Sequence, residues 1–238
     1  MERRSAADSS PVESADYHRG AVSRIVLLPG LGADQRLFRA ERERFPNLET
    51  PPWLPPLPEE PLGDYAARLA KSISPAPDLL GGVSFGGMVA FEMARHLSPR
   101  AVVLIGSGRS RDSLSPTLRR LGFLARRLPL PVWAAVARAA VVPTVWIERL
   151  GPDEARLFRA MLRATPPRFL KWAACAILEW KDAGSPGCPV FQIHGEKDHI
   201  LPLRLAHAVV SVPRARHLVS LTHPREVQAF LEEVLASI

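Results

Sequence analysis

Cysteine is scarce in this chain: two residues in 238, Cys175 and Cys188. Two thiols cannot build a disulfide scaffold, and they read as reduced side chains in or near a core. No Cys/His cluster has zinc spacing, so no metal is expected. No apolar run reaches the ~18 residues of a membrane span, so no membrane is expected as a partner. The first twenty residues are rich in Ser, Asp and Glu and lack an apolar signal region. Residues 1–20 read as a disordered tail, and the cytoplasm is the expected location. A Lys/Arg-rich run is also missing, although the formal charge is +7. Nucleic-acid binding needs a localised basic stripe, so none is expected. A basic surface favours acidic substrates or partners.

What is present is an ordinary hydrophobic content and 24 prolines, several where an element should stop. Residues 24–28 (RIVLL) form a β-branched apolar run that suits a strand buried on both faces. It ends in Pro29-Gly30-Leu31-Gly32, a sharp turn. Helices are predicted over 35–45 and 62–74, with a proline-rich loop and at most a short strand between them. A second strand, 79–83, leads into Ser84, and a helix follows over 85–97. Residues 101–105 (AVVLI) form a third buried strand. Repeated β-α-β predicts a parallel sheet with helices on both faces.

The pattern changes after residue 108. No strand is predicted over 109–183; helices are predicted over 116–128, 132–142, 153–164 and 167–180. The β-α pattern returns with a strand at 189–194, a helix at 203–208, a short strand at 209–212 and a final helix from Pro224 to Leu235. The expected organisation is therefore a core over 21–108 and 184–238 with a helical insertion over 109–183.

The chemistry centres on Gly82-Val83-Ser84-Phe85-Gly86, where a buried strand meets a helix. A serine there sits on a strained turn, and a Cβ at either flanking position would collide with neighbouring backbone. A serine hydroxyl is a poor nucleophile at neutral pH; it needs a base, and the base needs an orienting carboxylate. On such a sheet the chain order is Ser, acid, His, with the acid in a loop at a strand's C-terminal end. Asp198 fits, a short turn beyond PVFQIH; Asp182 lies before that strand and Glu196 too early in the turn. Four histidines follow Asp198: His199, His207, His217 and His223. His199 is tethered beside the acid, His207 falls in a predicted helix and His223 opens the last one. His217 is the expected base. The amides of Phe85 and Leu31 are the expected donors to a developing oxyanion.

Four blocks carry a family resemblance: LLPGLGADQRLF, LLGGVSFGGMVAFEMA, IHGEKDHILP and RHLVSLTHPREVQAFL. From about Arg24 to the C-terminus the chain resembles the α/β-hydrolase superfamily, and more narrowly its small bacterial members with a helical cap. The resemblance implies an α/β-hydrolase fold, Ser84, Asp198 and His217 as a triad, Leu31 and Phe85 as the oxyanion hole, and residues 109–183 as the cap. Two positions depart from the pattern. Pro29-Gly30 stands where many members have His-Gly, and Arg216 stands where a glycine usually precedes the histidine.

A serine at the elbow excludes the aspartate chemistry of related dehalogenases and epoxide hydrolases. The expected activity is hydrolysis of a small-molecule carboxylic ester through an acyl-enzyme, with no cofactor. A thioesterase acting on CoA- or carrier-bound acyl groups is the alternative, and a non-catalytic small-ligand binder is a third reading. Trp133, Trp146 and Trp172 are candidate substrate contacts; Trp180 shares the insertion, and packing of insertion on core is the other role for all four. Arg119/Arg120 and Arg126/Arg127 form one basic face. Nothing in the sequence sets the oligomeric state.

Overall fold

The computed structural model describes residues 23–181, 184–207 and 210–238. The expected tail at 1–20 lies outside the described residues, as do Asp182, Ala183 and Val209.

Among the described residues six strands build one sheet: β1 (Ile25–Leu28), β2 (Leu48–Glu49), β3 (Leu79–Val83), β4 (Ala101–Ile105), β5 (Val190–Gly195) and β6 (Val210–Val212). Their order is β2-β1-β3-β4-β5-β6, and every pairing is parallel. The strand residues alternate between two cores. Val26, Leu28, Leu80, Val102 and Leu104 join one apolar cluster. Ile25, Leu27, Leu79, Val103 and Ile105 join the other. Burial of both faces is why these strands read as unbroken apolar runs.

Helix α1 (Arg39–Arg44) follows a 3-10 turn at Gln35–Phe38. Helices α2 (Leu62–Ala70) and α3 (Phe85–Leu97) pack on one face of the sheet. Between β4 and β5 come five helices: α4 (Pro116–Ala125), α5 (Leu130–Ala139), α6 (Val141–Glu148), α7 (Pro152–Ala164) and α8 (Pro167–Glu179). The chain ends in α9 (Val219–Thr222) and α10 (Pro224–Ser237). Helix α8 ties the insertion to the core: Phe169, Ala173 and Ala176 enter the cluster that holds α2 and α3.

The structure differs from the sequence reading in several places. Residues 203–208 were expected to be helical, but among those described, 203–207, only the 3-10 turn Leu203–Leu205 forms. The expected helix over 35–45 begins as a 3-10 turn, and α9 was not expected. Helix α6 was not expected. Pro143 stands in its first turn, where a missing N–H costs nothing, so the proline marks a start and not a stop. With α5 it makes the apolar stretch Leu130–Glu148, 19 residues of mean hydropathy 1.6. By length and composition that stretch suffices to cross a membrane, contrary to the sequence reading, because Arg138 and two prolines interrupt its apolar residues in the sequence.

Candidate active site

The strand order reverses direction between β1 and β3, so the connections leaving these two neighbours diverge and open a crevice at their C-terminal ends. Ser84 leaves β3 at that crevice, and Gly30 and Leu31 leave β1 beside it. Ser84 has φ 51° and ψ −117°, a left-handed conformation that costs a non-glycine residue about 1–3 kcal/mol. Its surroundings enforce it. A Cβ on Gly82 would lie 2.5 Å from the Leu28 carbonyl oxygen, and one on Gly86 would lie 2.2 Å from the same atom. The Ser107 hydroxyl donates to the Ser84 carbonyl at 2.6 Å, and Gln192 Nε2 donates to the Ser107 carbonyl at 2.8 Å. The turn is thus held from β1, β4 and β5 at once.

Asp198 and His217 come from the loops after β5 and β6. Gly195 ends β5 with no room for a side chain: a Cβ there would lie 2.1 Å from the Arg216 carbonyl oxygen. That contact presses the two loops together. His217 Nδ1 lies 2.8 Å from Asp198 Oδ2, and His217 Nε2 lies 2.9 Å from Ser84 Oγ. Arg216, before His217, is half-buried, and the line forms beside it in sequence. Asp198 Oδ1 accepts from the amides of Ile200 and Leu201 at 2.8 and 2.9 Å. Burial works to raise the Asp198 pKa. The His217 charge and hydrogen bonds from His194, His217 and Leu201 outweigh it and hold the carboxyl well below the usual range. Burial also works against a charged His217, but Asp198 and Glu148 outweigh it, so the imidazole is pulled above its ordinary pKa.

The amide of Phe85 opens α3 and that of Leu31 lies in the β1 turn; neither donates a hydrogen bond among the described residues. The first amides of a helix have no partner within it and carry its positive end. Ser84, His217, Gly30 and Leu31 share a cavity of about 460 Å³. Its remaining walls are mostly aliphatic or aromatic side chains, with Arg126, Thr144 and Glu148 the other charged or hydroxyl groups.

The sequence matches the model of the Alpha/beta hydrolase family over residues 15–230. The chain belongs to this family. A thermophilic esterase from Thermogutta terrifontis superposes with TM-score 0.69 at 22% identity, covering 92% of this chain and 91% of that one. A hydrolase from Pseudomonas aeruginosa PA01 gives 0.68 at 19%, covering 91% of both chains. The enol-lactonase from Burkholderia xenovorans LB400 gives 0.72 at 16%, covering 92% and 93%. Likenesses at this identity show the shared fold. A comparison with curated proteins finds no match.

The tryptophans of this α/β hydrolase divide in a way the sequence did not foresee. Trp133 lines the cavity. Trp146 does not: it stands on the outer side of the insertion, 81% exposed. Trp172 is also off the cavity lining. Its ring lies 4.4 Å from Tyr65, and its Nε1 donates to the Glu60 carbonyl at 2.8 Å, so it fastens α8 to the core. Trp180 is buried and donates to Glu92 Oε1 on α3 at 2.5 Å.

Two polar residues escaped the sequence reading. His194 Nε2 lies 2.5 Å from the Leu201 carbonyl oxygen and 3.2 Å from Asp198 Oδ2; a proton on Nε2 serves both, bracing the acid's loop. It precedes Asp198 in sequence, whereas a base was sought after it. Glu148 ends α6, is buried, and accepts the Leu218 amide at 2.9 Å beside His217. Its signal was a lone acid closing an apolar stretch.

Proposed function

We propose that this α/β hydrolase cleaves carboxylic esters of small apolar molecules, with Ser84 as nucleophile, His217 as base and Asp198 as the acid that orients it. The observation that supports this most is the unbroken Asp198–His217–Ser84 hydrogen-bond line opening on an apolar cavity. A depressed carboxylate on Nδ1 keeps the proton there, which leaves the Nε2 lone pair facing the Ser84 hydroxyl. His217 takes that proton as Oγ attacks the ester carbonyl. The amides of Leu31 and Phe85 receive the developing oxyanion. Imidazolium then protonates the leaving alkoxide, and the acyl group remains on Ser84. Water, deprotonated by His217, attacks the acyl-enzyme and restores the serine. The sequence needs no metal or organic cofactor. The helical insertion is the cap, and the esterase and lactonase titles of the structural neighbours agree with an acyl substrate. Aliphatic walls around Ser84 favour an acyl or alcohol part without charge.

A fluorophosphonate probe and p-nitrophenyl esters of short and medium chain test the proposal. Labelling at Ser84 and turnover are expected, and Ser84→Ala is expected to lose about six orders of magnitude in kcat. An unlabelled protein with no Ser84-dependent turnover would make it a ligand binder. Thioesters turned over far better than matched oxyesters would replace the esterase reading with thioesterase.

A further inference from the structure

Helices α4, α5 and α6 leave unusual amounts of apolar side chain in water. Leu121 is 56% exposed, Leu124 70%, Val142 61% and Trp146 81%. Of the residues in Leu130–Glu148 only Ala134 and Glu148 are buried, although its composition matches that of a core or membrane helix. Leu121 and Leu124 are neighbours on α4, and Val142 and Trp146 are neighbours on α6; exposed apolar surface of this extent marks a binding face in a stable protein. The charge on the same segment has one sign. Residues 113–147 hold five arginines and no acidic residue; Arg119 and Arg126 pair with Asp112 and Glu179, while Arg120, Arg127 and Arg138 form no ion pair among the described residues.

We propose that this face of the cap docks on an anionic lipid surface. Interfacial helices combine apolar side chains, tryptophan among them, with arginine or lysine, and they bind by burying the first in the acyl boundary while the second meets anionic headgroups. A second copy of the chain would set the arginines against themselves, so like charge argues against it. The stretch lies along the bilayer and not across it. Its inner side lines the cavity through Trp133, Ala137 and Thr144, and Glu148 at its end is bonded to the core. Leu118 and Val136 line the cavity and are also exposed, so the cavity's rim belongs to the docking face. Docking would therefore present the cavity to molecules dissolved in the membrane, a consequence that rests on the ester-hydrolase reading; docking itself does not.

Co-sedimentation of the full chain with phosphatidylcholine vesicles, with and without phosphatidylglycerol, tests the proposal at low and high salt. Binding at least about tenfold tighter to the anionic vesicles, weakened by salt, is expected. Ser84→Ala is expected to bind equally, so a failed hydrolase reading leaves this result standing. The pairs Val142→Asp/Trp146→Asp and Arg120→Gln/Arg127→Gln are each expected to weaken binding about tenfold or more, with folding checked by thermal midpoint. No binding to either vesicle overturns the proposal, as does equal, salt-independent binding to both. Self-association abolished by the Val142→Asp/Trp146→Asp pair, without vesicle binding, would assign the face to a second copy. Capture of an acidic carrier protein in place of vesicles would assign it to a protein partner.

Discussion

Helix α3 buries ten of its thirteen residues, whereas α5 buries Ala134 and α6 buries Glu148. Both helical regions border the same cavity. Around α3, glycines at 82, 86 and 87 sit so close to neighbouring atoms that any Cβ would overlap them. The insertion is fastened at separate points, among them the α8 stripe, Met161 in the second core cluster, the Trp172 and Trp180 indoles, and Glu148 on the Leu218 amide. The charge divides as well. Residues 109–181 hold fourteen arginines and lysines against five acids, while the rest of the chain holds seventeen against nineteen. The contrast teaches where tolerance lies. A nucleophile must be held to fractions of an ångström, and an over-determined site does that.

Substituting the glycines of the two regions breaks the comparison most directly. Gly86→Ala would drive a Cβ into backbone oxygens of Leu28 and Pro29 at 2.2 and 2.4 Å, atoms that cannot move alone. A loss of at least about 3 kcal/mol is expected, read as a collapse of soluble yield or of the urea midpoint. An unchanged midpoint would show that the elbow is softer than its geometry implies.

Glu41 tests whether the core carries a cost of its own. It is fully buried on α1, neither oxygen has a partner among the described residues, and burial pushes its pKa from 4.5 up to about 7. Between those values the unfolded chain gives up a proton that the folded chain keeps, so stability falls as pH rises from about 4.5 to 7. Relative to wild type, Glu41→Gln is therefore expected to gain about 3 kcal/mol between about pH 4 and about pH 8. Parallel stability curves for the two proteins would count against a buried neutral Glu41.

Glu148 probes the junction of the two regions. Its charge helps to raise the His217 pKa, and in the proposed mechanism a neutral His217 is the form that accepts the Ser84 proton. Ester hydrolysis should rise with pH through a histidine pKa above the ordinary value. In Glu148→Gln that limb should move to lower pH while the amide oxygen still accepts from Leu218. A pH profile of kcat/KM that does not move would limit Glu148 to holding the cap.

The smallest effect belongs to the insertion's own glycine. A Cβ on Gly122 in α4 would meet the tip of Leu178 at 2.9 Å, the far end of a flexible side chain. Helix propensity then offsets the contact, and Gly122→Ala should stay within about 1 kcal/mol of wild type. A loss as large as that of Gly86→Ala would erase the contrast between the regions.

The sequence by itself determined the sheet, the elbow and the chain order of Ser84, Asp198 and His217. Those features rest on short-range rules: buried parallel strands are apolar runs, a crowded turn demands glycine, and loops at strand ends carry polar groups. Helix α6 hid behind Pro143 because a proline looks the same at a start as at a break. Only the tertiary structure decided which tryptophan meets the cavity, which fastens the cap and which faces outward. An apolar helix has no periodic face to mark its inner side, so the partner elements choose it. The same holds for His194, which meets Leu201 and Asp198, and for Glu148, which meets the Leu218 amide 70 residues on. Such contacts exist only once the chain has brought its distant segments together.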